Sequence, residues 1–163
     1  MREMSDDFRD VIEKLRLALR LRKPVFTSTS HVALNIDGID LELSAAEDGQ
    51  HVMVLGIAGR FSKNPARRSM QAEKILQLNL QHLATNTACV CLDHGDEETP
   101  TVVIRGISPC RCAEMDRLAQ TISDVALLTE THRHEFEDHP GTSPAQRSTP
   151  MTVSSEALII FAP

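Results

Sequence analysis

Apolar side chains recur along the first twenty residues at the spacing of one helical face. Phe8, Val11, Ile12, Leu15 and Leu19 share that face, and the spacing predicts an amphipathic helix opening the chain. Ser5 has the chemistry of an N-cap, with Asp6 and Asp7 in the first turn, where the helix dipole favours negative charge. Arg20, Arg22 and Lys23 suit the opposite end, and Pro24 is expected to stop the helix. Leu17 lies almost opposite Phe8, and Leu21 also falls outside the buried stripe.

After Pro24 the period changes to two. Val32, Leu34 and Ile36 alternate with His31, Ala33 and Asn35 up to Asp37-Gly38, a strong hairpin signal. Ile39, Leu41 and Leu43 continue on a second strand. After the turn at Asp48-Gly49, Met53, Leu55 and Ile57 share one face of a third. The expectation is an antiparallel meander with one apolar face. Asn64-Pro65 then supplies a cap and a first helical residue for a second helix running to about His82.

That helix is apolar over an unusual share of its girth: Ala72, Leu76, Leu80 and Leu83 form one face, and Ile75 and Leu78 widen it. Such a helix needs cover from two sides, a sheet on one and a second chain on the other. Strands at Ala88–Leu92 and Thr101–Ile107 follow, joined by the acidic loop from Asp93 to Glu98. A third helix after Pro109 presents Met115, Leu118, Ile122 and Val125, with Phe136 prolonging the face. Antiparallel strands interrupted by helices define an α+β domain, not a parallel nucleotide-binding sheet. The domain is expected to occupy 1–138. Half of the eight prolines fall after Asp138, among Ser, Thr and Gly, so 139–163 reads as a flexible tail ending in the apolar run Ala157–Phe161.

Composition narrows the function. The 163 residues carry a formal charge of −6, with neither Trp nor Tyr, which disfavours both phosphate neutralisation and base stacking. No nucleic acid is expected as a partner. No apolar run is long enough to span a bilayer and the first ten residues do not form a secretory signal, so no membrane insertion is expected and the site of synthesis is the expected site of action.

Four cysteines form two Cys-x-Cys pairs, Cys89 with Cys91 and Cys110 with Cys112. Four thiolates suit structural zinc, but the Cys-x₂-Cys knuckle spacing is missing, so reduced, buried small hydrophobes without metal are the expectation. His132, His134 and His139 lack the His-Glu-x-x-His pattern and read as surface histidines near a helix end. Gly56-x-x-Gly59 lacks the lysine of a phosphate loop, and no nucleophile elbow occurs. These residues predict no enzyme, no cofactor and no catalytic group.

The run Val52 to Phe61, with its two spaced glycines, followed by Ile75-Leu76-Gln77-Leu78-Asn79-Leu80, resembles the middle of the class I type III secretion chaperones, the Tir-chaperone family. There a glycine-bearing strand leads into a helix with a Leu-x-x-Asn-Leu-like run, and the order of elements agrees over about 5–136. The resemblance implies a homodimer in the bacterial cytoplasm, serving virulence or symbiosis. It would bind the N-terminal segment of a secreted effector, keep it secretion-competent and help deliver it to the secretion ATPase. It further implies a dimer interface at Ala72, Ile75, Leu76, Leu80 and Leu83, and effector contacts at Leu17, Leu21, Val32 and Leu34. Two other readings remain open from the residues alone: a dimeric adaptor unrelated to secretion, and a metal-dependent enzyme using the His and Cys residues.

Overall fold

The computed structural model describes residues 2–20, 24–82, 87–94 and 99–136. Helices α1 (Arg2–Leu19), α2 (Pro65–His82) and α3 (Met115–Phe136) accompany six strands: β1 (Val25–Phe26), β2 (His31–Ile36), β3 (Ile39–Ala45), β4 (His51–Arg60), β5 (Ala88–Asp93) and β6 (Thr101–Pro109). The strands form one antiparallel sheet in the order β1-β2-β3-β4-β6-β5. The expected α+β architecture is therefore present, enlarged by one strand. β1 has only two residues, too short for a periodicity to show. It is held by pairing with β2 and by Arg9, whose guanidinium lies 5.0 Å from the ring centre of Phe26.

Local chemistry explains most element ends. Asp37 and Gly38 both take positive φ, 51° and 88°, the geometry that twists a two-residue hairpin correctly. Asn64 caps α2, its Oδ1 accepting from the N–H groups of Ala66 at 3.0 Å and Arg67 at 3.3 Å. The first helix departs from expectation at both ends. It begins at Arg2, so Ser5 lies within it, because Arg, Glu and Met are good helix formers and nothing there interrupts the turn. It ends at Leu19, before the proline, where Arg20 adopts a left-handed φ of 52°.

Register decides which face is buried. Val32 sits opposite Leu43, Leu34 opposite Leu41, and Leu43 opposite Val54. These side chains, with Val52, Ala58, Val90, Val102 and Ile104, meet Phe8, Val11, Ile12 and Leu15 of α1 and Leu118, Ile122, Val125 and Phe136 of α3 in one core. α1 and α3 therefore cover the same face of the sheet. Gly56 lies directly beneath α3: a Cβ there would run into Oγ1 of Thr129. The glycine lets helix and sheet approach closely.

The third strand of the meander corrects the expected pattern. Met53, Leu55 and Ile57 do share a face, but it is the outer one; Val52, Val54, Gly56 and Ala58 point into the core. Both faces of β4 are apolar, so its alternation alone did not identify the inner side. The 139–163 segment and the greater part of the acidic loop lie outside the described residues.

Candidate partner-binding surfaces

α2 stands at the β5 edge of the sheet and is fixed there by two side-chain amides. Nδ2 of Asn79 donates to the carbonyl of Val90 at 2.9 Å, and Oδ1 accepts from the N–H of Val90 at 2.7 Å. A peptide group of an edge strand is thereby paired as another strand would pair it. Eight residues earlier, Gln71 accepts from the N–H of Ser62 at 2.7 Å, and its Nε2 donates to the carbonyl of Arg60 at 3.4 Å. The sequence signal for Asn79 was a polar residue between Leu78 and Leu80, whereas Gln71 stands in a stretch of mostly charged and polar residues and carried none.

The opposite flank of α2 meets α3. Lys74 pairs with Glu135 at 2.9 Å, and Glu135 contacts Nδ1 of His132 at 3.1 Å. His132, expected on the surface, is buried, with the His82 ring 5.7 Å away. Its position one turn before Phe136 on the inner side of α3 accounts for the burial.

These contacts orient the rest of the helix. Lys74 faces α3 and Asn79 faces the sheet edge; the same rotation carries Ala72, Leu76 and Leu80 toward the outer face of the sheet. Leu76 is 65% exposed and Leu80 75%. Ile75, placed in the expected interface, is buried in the core and serves packing within the chain. Ala72 is half-buried, and Leu83 lies outside the described residues. On the adjoining sheet face, Ile57 and Ile107 are exposed and Met53 and Leu55 half-buried. Nε of Arg105, which sits between Leu55 and Cys89 in register, is buried there without a hydrogen-bond partner.

A second apolar position lies on α1. Leu17 is 65% exposed on the side away from the core stripe, as its phase requires. Leu21 lies outside the described residues. Val32 and Leu34, the other two expected effector contacts, are buried: they alternate inward and belong to the core beneath α1. Their side chains do not face a partner, which corrects that part of the expected site.

Among the described residues no three His, Cys, Asp or Glu side chains gather as a metal site, and no helix is long and apolar enough to cross a membrane. The four cysteines are thiols, but they are not the buried hydrophobes expected: Cys89 and Cys112 are exposed and Cys91 and Cys110 half-buried. Two Cys-x-Cys pairs on strand and turn backbones place alternate side chains toward solvent regardless of their hydrophobicity. Cys112 accepts from Nζ of Lys14 at 3.2 Å, an interaction that raises the lysine's pKa.

The architecture is thus a helix-covered antiparallel sheet with exposed leucines on α1 and α2. The Tir chaperone protein (CesT) family matches residues 10–99, more than half of the sequence, and the chain belongs to that family. No curated protein matches the sequence. Among solved structures, the HopA1–SchA chaperone–effector complex contains a chain that is 14% identical, with a TM-score of 0.61 over 80% of this chain and 95% of the other. The Yersinia pestis type III secretion chaperone SycH, solved with a stable fragment of YscM2, has a matching chain at 17% identity and a TM-score of 0.56, over 77% and 98%. YbjN of E. coli shares the fold at 16% identity and a TM-score of 0.56, over 77% and 92%. Likeness at these identities concerns the fold alone, which hosts more than one function.

Proposed function

We propose that this protein is a type III secretion chaperone acting in the bacterial cytoplasm. It holds the N-terminal segment of a secreted effector in an unfolded, secretion-competent state and presents it to the secretion ATPase. The observation that carries the reading is a leucine exposed on α1, away from the core, in a chain of the Tir chaperone family. Leu17 offers an apolar side chain that an effector's apolar side chains can cover, and Leu21, four residues on in the sequence, is included in the proposed contact. Two leucines contribute roughly 3–6 kcal/mol when fully buried, a large share of a micromolar affinity.

Two copies pair through the outward side of α2, with Ala72, Leu76, Leu80 and Leu83 at the contact. The net charge of −6 keeps such a sticky assembly soluble. The protein performs no catalysis of its own. The experiment is capture of the N-terminal segment of a secreted protein encoded beside this gene, by the wild-type chain and by the Leu17→Asp, Leu21→Asp double variant. The wild type retains the segment and the double variant, still folded by circular dichroism, releases it. Equal capture by both would move the effector site off α1.

A further inference from the structure

Cys89 and Cys91 occupy neighbouring positions on the outer face of β5, and their sulfur atoms are 3.4 Å apart. Cys89 is exposed, so an oxidant reaches it directly. Burial and the neighbouring Cys89 push the Cys91 thiol up to about 11, which keeps it protonated while Cys89 reacts first. Val90, the residue between them, is the one whose N–H and carbonyl are both held by Asn79 of α2.

We infer that Cys89 and Cys91 form a reversible disulfide, and that closing it releases the clamp of Asn79 on Val90 and loosens α2 from the sheet. The argument is geometric. Same-face neighbours in a strand are about 6.8 Å apart along the chain, the outer limit of Cα separations that a disulfide spans. The sulfurs must also close from 3.4 Å to a bond of about 2.05 Å. Both demands are met by puckering the strand at its middle residue. A pucker at Val90 displaces the two backbone groups that Asn79 holds. Cys89 and Cys91 are paired in register with Arg105 and Val103 of β6, so the inner side of the strand remains anchored while its edge moves.

The co-reactant is a hydroperoxide, ROOH. The Cys89 thiolate attacks the terminal oxygen and breaks the O–O bond, giving a sulfenic acid and an alkoxide that takes up a proton as ROH. Sγ of Cys91 then attacks Sγ of Cys89. The hydroxyl leaves as water with the Cys91 proton, and the S–S bond forms. Two thiols lose two hydrogens and two electrons; the peroxide ends as ROH and water. A strained disulfide of this kind is readily reduced again by a thiol.

The inference concerns the single chain and does not rest on the proposed function. The full-length protein is treated with hydrogen peroxide, blocked with N-ethylmaleimide and analysed by mass spectrometry of tryptic peptides. The expected product is a peptide two hydrogens lighter, unalkylated at Cys89 and Cys91, restored by dithiothreitol and absent in both Cys89→Ser and Cys91→Ser. Amide hydrogen exchange across α2 rises about tenfold on oxidation, and Asn79→Ala raises it without oxidant. Sulfinic acid at Cys89 with Cys91 still alkylated, a disulfide between chains, or thiols that do not react in the folded protein would overturn the pairing. A disulfide that forms while exchange in α2 is unchanged would overturn its coupling to the helix.

Discussion

Asn79 of α2 and Val90 of β5 form a two-bond pair, side-chain amide to backbone, that turns a helix into the neighbour of an edge strand. It closes the β5 side of the sheet against pairing with other chains and sets the rotation of α2. Asn79→Ala leaves two backbone groups at the edge without that partner. Urea denaturation is expected to show a loss of roughly 1–3 kcal/mol. Asn79→Asp should be no better, because a carboxylate keeps the acceptor but meets the carbonyl of Val90 with like charge. Wild-type stability in both variants would show that the pair contributes nothing to docking α2.

Gly56 is set by the hydroxyl of Thr129 above it. Thr129 donates to the carbonyl of Val125 at 2.6 Å, so its side chain is not free to swing aside. Gly56→Ala is expected to cost about 1–3 kcal/mol by overpacking. In the Thr129→Ala background the same substitution should cost clearly less, a non-additivity that a double-mutant cycle measures directly. Additive losses would mean that the contact with Thr129 is not what excludes a side chain at 56.

The residues of α2 divide into two groups by exposure, and substitution should separate them. Leu76→Asp and Leu80→Asp change exposed positions, so each chain should remain folded by circular dichroism while light scattering reports a smaller particle. Ile75→Asp places a carboxylate in the core and should unfold the chain or cost several kcal/mol. An unchanged particle size in both leucine variants would place the second copy elsewhere.

Much of this was legible from periodicity. The helical stripe of α1 from Phe8 to Leu15, the Asp37-Gly38 turn, the start of α2 at Asn64-Pro65 and the Leu118–Ile122–Val125 face all follow from spacing or from the conformational demands of single residues. Leu19, expected on the same stripe, is exposed as the last residue of the helix. What was not legible depended on tertiary context. β4 is apolar on both faces, and only its register with β3 and β6 shows that Val54 faces inward and Leu55 outward. Val32 and Leu34 alternate as a half-buried strand should, yet α1 and the rest of the core bury them completely enough that they offer no surface. Ile75 and Leu76 are neighbours in a broad apolar helix; the position of the sheet edge, fixed by Asn79, decides which is core and which is exposed. The short strand β1 left no period at all.

The most direct test is the mass of the chain co-expressed with the N-terminal segment of the secreted protein encoded beside its gene, read by light scattering coupled to size exclusion. A complex of two chains with one segment is predicted, its chaperone part twice 18.0 kDa, together with loss of the segment but not of the pairing in the Leu17→Asp, Leu21→Asp variant. A folded 18.0 kDa species that carries no segment would contradict the account.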